Sequence, residues 1–100
     1  MDGKQTDIAV EAWALSHGLV LFRDGPTRFC YTSSERGECF QLVVRQPDAG
    51  RTMIEAFSIE TIEDEELHKS WTFPAGNIST ALDEALAWID GWKRGVNRRT

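Results

Sequence analysis

"RTMIEAFSIETIEDEELHKSWTF", residues 51–73, decides how this chain folds. Two runs of strand composition, 51–60 and 67–73, flank a short polar connection at 61–66. A parallel pair needs a crossover of about a dozen residues, so these two runs read as antiparallel neighbours. The same pattern extends upstream. "LVLFR" (19–23), "RFCYT" (28–32) and "CFQLVVR" (39–45) are rich in β-branched and aromatic residues. They are joined by "DGPT", "SSERGE" and "QPDAG", whose Gly, Pro, Asp and Ser content marks turns and loops. The spacing predicts a meander of five strands.

A helix is expected at each end. From about Asp7 to His17, Ile8, Ala12 and Leu15 recur at helical spacing, with Thr6 or Asp7 as N-cap and Gly18 past the end. From Ser79, "STALDEALAWIDGWKRG" places Leu82, Ala85, Leu86, Ile89 and Trp92 on one stripe, and Gly95 is the terminator. The expected fold is one α+β domain over residues 1–100, in the order α-β-β-β-β-β-α, with a flexible basic tail at 95–100. No repeat or linker divides the chain.

Hairpin register sets which side chains share a face. The "DGPT" turn pairs Arg23 with Arg28 and Phe22 with Phe29. Placing Cys30 opposite Cys39 puts Phe29 and Tyr31 on the face of Phe40, Leu42 and Val44. A five-residue turn pairs Arg45 with Arg51 and adds Thr52, Ile54 and Ala56. Pairing Thr61 with Leu67 sets Phe57 opposite Trp71 on the second face. Both faces then carry apolar residues, unlike a sheet with one solvated side. A β-bulge in the fourth strand, a helix on each face, or a binding surface would each account for this.

Composition excludes several chemistries. The chain is 41% hydrophobic with four Trp and five Phe, which is globular rather than disordered. No apolar run reaches the length of a membrane span, and "MDGKQTDIAV" lacks the pattern of a signal peptide, so a cytoplasmic location is expected. The net charge of −5 is uneven. Residues 51–90 hold two basic and nine acidic groups, net −7, while 91–100 hold four basic groups and no acid. That body repels nucleic acid; Lys93, Arg94, Arg98 and Arg99 offer at most weak contact with it.

No cofactor or metal is expected. Two Cys and two His lack zinc-ligand spacing, and the acidic run lacks the Gly and alternating oxygens of a calcium loop. Cys30 and His68 are the sole cysteine–histidine pair of note, on strands that are not neighbours, so a nucleophilic enzyme is not expected. Cys30 and Cys39 are expected as reduced thiols, with a cross-strand disulfide as the alternative.

Glu60, Glu63, Asp64, Glu65 and Glu66 remain as an acidic run, read either as the solvated turn between the fourth and fifth strands or as a charged surface. Its flanks Phe57, Ile59, Leu67 and Trp71 are expected on one face beneath it, with Phe57 and Trp71 as apolar anchors. These seven are the candidate partner-binding residues. The helix–strands–helix order resembles a double-stranded-RNA-binding domain, but this chain has five strands for three and an acidic start to its last helix. In general character it is similar to small acidic inhibitors and immunity proteins of bacteria and phages, which block a larger protein. That resemblance implies a non-catalytic domain that binds and blocks a protein partner, as an inhibitor or phage anti-defence protein would; the acidic run, read as a charged surface, suits a basic partner. Self-association through the second sheet face is a further expectation. A small-ligand-binding domain or minor enzyme, with a cleft between sheet and helix, is the alternative.

Overall fold

The computed structural model describes residues 3–96 and 98. Helix α1 (Gly3–Ser16) precedes strands β1 (Phe22–Asp24), β2 (Thr27–Ser33), β3 (Cys39–Val44), β4 (Arg51–Glu60) and β5 (His68–Pro74). A short 3-10 turn (Ala75–Asn77) leads into helix α2 (Ile78–Lys93). The strands form one open antiparallel sheet in the order β1-β2-β3-β4-β5, so the α+β meander expected from sequence is the architecture.

Both helices lie on the same face of the sheet. Val10, Trp13 and Ala14 of α1, Ala81, Leu82, Ala85, Ile89 and Trp92 of α2, and Phe40, Leu42, Val44, Ile54 and Ala56 of the sheet are buried in a single cluster. The reading of one helix per face is therefore overturned. The α2 stripe is the expected one, but the helix starts at Ile78 behind Asn77, whose side chain makes no cap bond, so Ser79 lies within the helix rather than capping it. Its end is a Schellman arrangement. Gly95 sits at φ 82, its N–H donates to the Trp92 carbonyl at 3.0 Å, and the Val96 N–H donates to the Gly91 carbonyl at 2.7 Å.

In α1 the expected face is inverted. Ile8 and Leu15 are 60% and 82% exposed, while Val10, Trp13 and Ala14 turn inward. Trp13 settles the choice. It has the largest apolar surface to hide, and its indole N–H donates to Asp83 Oδ1 of α2 at 2.8 Å. The helix also begins at Gly3, so Thr6 and Asp7 lie within it rather than capping it.

Register accounts for the other departures. The first hairpin pairs Phe22 with Phe29 and Arg23 with Arg28, as expected. The second pairs Cys30 with Leu42 and Ser33 with Cys39, because Ser34 and Glu38 close the loop with an N–H to carbonyl bond of 2.8 Å. That is an odd shift from the Cys30–Cys39 pairing, so Phe29 and Tyr31 move to the face opposite Phe40 and Leu42. At the third turn Ala49 and Gly50 both adopt positive φ in a two-residue tip between Asp48 and Arg51. Arg45 then donates to the Met53 carbonyl rather than pairing with Arg51; the shift is even, so Thr52, Ile54 and Ala56 keep their expected face. Between β4 and β5, Phe57 pairs with His68 and Ile54 with Trp71, which puts Phe57 and Trp71 on opposite faces. A bulge is present where Cys39 and Phe40 meet Glu60 and Ser58; it affects only the end of β4.

Candidate functional site

The face without helices is partly apolar. Phe22, Phe29 and Tyr31 form an aromatic triad: Phe22 stacks on Phe29 with centroids 5.5 Å apart, and Tyr31 meets both rings edge-on at 5.7–5.8 Å. Phe22, Tyr31 and Met53 are each 43–45% exposed, while Val43 between them is buried. Alternation of side chains produces this surface: Phe29 pairs with Val43, and Val43 pairs with Glu55 in β4.

Next to the triad lies a polar cluster. Glu55 receives a 2.8 Å hydrogen bond from Arg45 and lies 3.2 Å from His68. Burial would raise the Glu55 carboxyl, but the bonds from Arg45 and His68 outweigh it and hold the group below its ordinary value. His68 also stacks on Phe57, with centroids 5.0 Å apart.

The acidic run spans the last residue of β4, Glu60, and the β4–β5 loop. Thr61 organises the loop as one turn: its hydroxyl accepts the Glu65 N–H at 2.6 Å, and its carbonyl accepts the Asp64 N–H at 3.3 Å. Asp64 takes positive φ, which Asp tolerates better than most residues. Glu60, Glu63, Asp64 and Glu66 are exposed and have no ion-pair partner among the described residues. Glu65 differs, since its carboxylate is held by Arg98 at 2.6 Å.

The seven candidate residues therefore do not form one surface. Phe57 lies on the helix-free face. Trp71 faces α2, edge-on to Trp88 at 6.2 Å, with the Lys69 ammonium 4.5 Å from the Trp88 ring. Of the other loop flanks, Leu67 is buried and Ile59 is 54% exposed at the bulge. The proposed common apolar face beneath the acidic loop is thus not formed.

Sequence reasoning missed Glu38. It sits in the polar loop "SSERGE", which reads as solvated, yet it is only 1% exposed. Arg98, assigned to a flexible tail, binds it through two bonds of 2.8 Å. No local signal marks a charge pair 60 positions apart in sequence. Asn97, Arg99 and Thr100 of that tail lie outside the described residues. Of the other tail cations, Lys93 donates to the Thr32 hydroxyl, and Arg94 is exposed.

A cleft of about 280 Å³ opens between α1 and the ends of β2 and β3, lined by Asp7, Val10, Pro26, Arg28, Val44 and Gln46 among others. Arg28 bonds Asp7 at 2.7 Å and the Gly25 carbonyl at 2.7 Å, and its buried Nε has no hydrogen-bond partner. Among the described residues no group of three or more His, Cys, Asp or Glu side chains could hold a metal ion. Cys30 and Cys39 are free thiols, and burial pushes Cys30 up to about 11. No described helix is long and apolar enough to cross a membrane. No family model, curated protein sequence or solved structure matches this chain.

Proposed function

We propose that this chain is a non-catalytic protein-binding domain whose contact surface is the helix-free face of its sheet. The carrying observation is the Phe22–Phe29–Tyr31 triad: three rings in mutual contact, two of them over 40% exposed, on a face that no helix covers among the described residues. A contiguous apolar patch rimmed by polar groups is the usual mark of a protein interface, and aromatic anchors supply most of its energy. Arg45, Glu55 and His68 supply that rim.

Glu60, Glu63, Asp64 and Glu66 give the adjoining end of the sheet a negative field that suits a basic partner. Charges of this kind govern association rate and specificity more than affinity. Phe57 belongs with the aromatic surface, whereas Trp71, under α2, does not reach it. An inhibitor that occupies a partner's basic surface, as phage anti-defence and immunity proteins do, is the role this combination suits best.

Parallel affinity captures from cell extract test the reading, using wild type, Tyr31→Glu and a chain with the four exposed loop acids neutralised. Wild type should hold a partner that Tyr31→Glu loses and that the neutralised chain releases at lower salt. Equal recovery on all three baits would refute it. Sedimentation of the wild-type chain identifies the case where the partner is a second copy.

The alternative reading, a small-ligand site, has one observation in its favour: the cleft beside Arg28, with its unpaired Nε. Titration with small carboxylates and phosphates, followed at Arg28 by NMR, tests it; an unshifted Arg28 signal dismisses it.

A further inference from the structure

An arginine side chain carries five N–H groups in a rigid planar fork. In Arg98 every one of them has an acceptor. Nη1 donates to Glu38 Oε1 at 2.8 Å and to the Trp92 carbonyl at 3.2 Å. Nη2 donates to Glu38 Oε2 at 2.8 Å and to Glu65 Oε1 at 2.6 Å. Nε donates to Glu65 Oε2 at 3.3 Å. The acceptors come from three separate elements: the β2–β3 loop, the β4–β5 loop and the last turn of α2.

Contacts that do not involve Arg98 already hold the cage in place. Glu38 Oε2 accepts the Ile62 N–H at 3.1 Å, and the Glu38 backbone is bonded to Ser34 at both its carbonyl and its N–H. Glu65 is fixed by Thr61 at its N–H, and its carbonyl accepts from the Ser58 hydroxyl at 2.8 Å. The Trp92 carbonyl belongs to the Schellman end of α2. These bonds keep the backbone frame of the cage when the occupant leaves, although its two carboxylates then loosen, so less of the binding energy is spent on ordering the site.

We propose that Glu38, Glu65 and the Trp92 carbonyl form a binding site for one arginine side chain, and that Arg98 is its in-chain occupant, in competition with an arginine from a protein partner. The geometry selects guanidinium over ammonium, because only a planar fork meets two carboxylates and a carbonyl at once. Arg98 reaches the cage from beyond the end of α2, not from a strand of the sheet. The partner's arginine rests on the protein-binding reading above; the cage does not.

The test is titration of the Arg98→Ala chain with N-acetyl-arginine amide, followed by the Ile62 amide signal. One equivalent should bind saturably, at least about tenfold more tightly than N-acetyl-lysine amide binds, and about tenfold more tightly than the wild-type chain binds the same probe. Adding Glu65→Gln should weaken it. If Arg98→Ala unfolds alone, the arginine amide should restore the folded spectrum saturably and the lysine amide should not. Absence of saturable binding or refolding, equal response to both amides, or equal affinity in wild type and variant overturns the proposal. Loss of the site leaves the Tyr31 surface intact, so failure here and failure of the protein-binding reading give different results.

Discussion

Arg98 and Glu38 face each other through two parallel hydrogen bonds of 2.8 Å, at side chains 10% and 1% exposed. The pair has a pH signature. Hydrogen bonds from Arg98, opposed by desolvation and aided by the Ile62 N–H, bring the Glu38 carboxyl down from 4.5 to about 2. A depressed carboxyl stabilises the fold fully above its unfolded value and loses that contribution as pH falls through its folded value. Between about pH 5 and pH 2 the loss should be roughly 3 kcal/mol. Urea unfolding across that window should show it, and Glu38→Gln, which keeps an acceptor for Ile62, should flatten the acid limb.

Removal of the cation has a different consequence. Arg98→Ala strands a carboxylate that is almost wholly buried, and breaking such a pair costs about 3–5 kcal/mol. The effect should spread to the β4–β5 loop, because Glu65 loses the same partner. Hydrogen exchange should therefore quicken at Ile62 and Glu65 well before it quickens in β3. Uniform acceleration across the sheet would contradict this arrangement.

The face assignment can be checked on adjacent residues of one strand. Ile54 is fully buried against the helices, and Met53 beside it is 43% exposed on the other face. Ile54→Ala should cost about 3 kcal/mol and Met53→Ala under about 1 kcal/mol. Thermal unfolding of the two variants gives the contrast directly, and a reversed order would mean the strand is flipped.

Strand composition and short turns were enough to read the meander, since five runs with brief connections permit little else. The α2 stripe was legible for a similar reason: Leu82, Ala85, Ile89 and Trp92 leave one apolar side. Faces were harder. In the second hairpin the sequence offers two cysteines that look like partners, while the loop closure that sets register is a backbone bond between Ser34 and Glu38. A shift of odd length there transferred Phe29 and Tyr31 to the open face, and a comparable one parted Phe57 from Trp71. In α1 two stripes competed, and a tertiary contact from Trp13 to Asp83 decided between them. The Glu38–Arg98 cage was invisible because charge in a loop reads as solvation until the fold brings its ends together.

The cysteines report on the same register. Cys30 stands opposite Leu42 and Cys39 opposite Ser33, so the two sulfurs are not set for a bond. Thiol titration should count two free thiols in the denatured chain. In the folded chain Cys30 should be the slow one at about pH 8, since burial lifts it to about 11 and the thiolate is the reactive form. Rapid modification of both would show that β2 and β3 open readily.

Trp13 and Asp83 provide the test of how the helices are joined. The indole N–H donates to Asp83 Oδ1 at 2.8 Å, and His17 lies 3.4 Å from the same oxygen. A hydrogen bond to a charged acceptor contributes about 1.5–3 kcal/mol when shielded; solvent at the exposed Asp83 end brings this one down to about 1 kcal/mol. Trp13→Phe removes the donor but keeps much of the apolar surface, so it should cost about 2 kcal/mol including the lost ring volume. Asp83→Ala should cost about 1 kcal/mol. A double-mutant cycle on thermal unfolding should give a coupling of about 1 kcal/mol, because each change removes the same bond. Strict additivity would mean that α1 is held by burial of Val10, Trp13 and Ala14 alone, and that the bond follows from the packing without stabilising it.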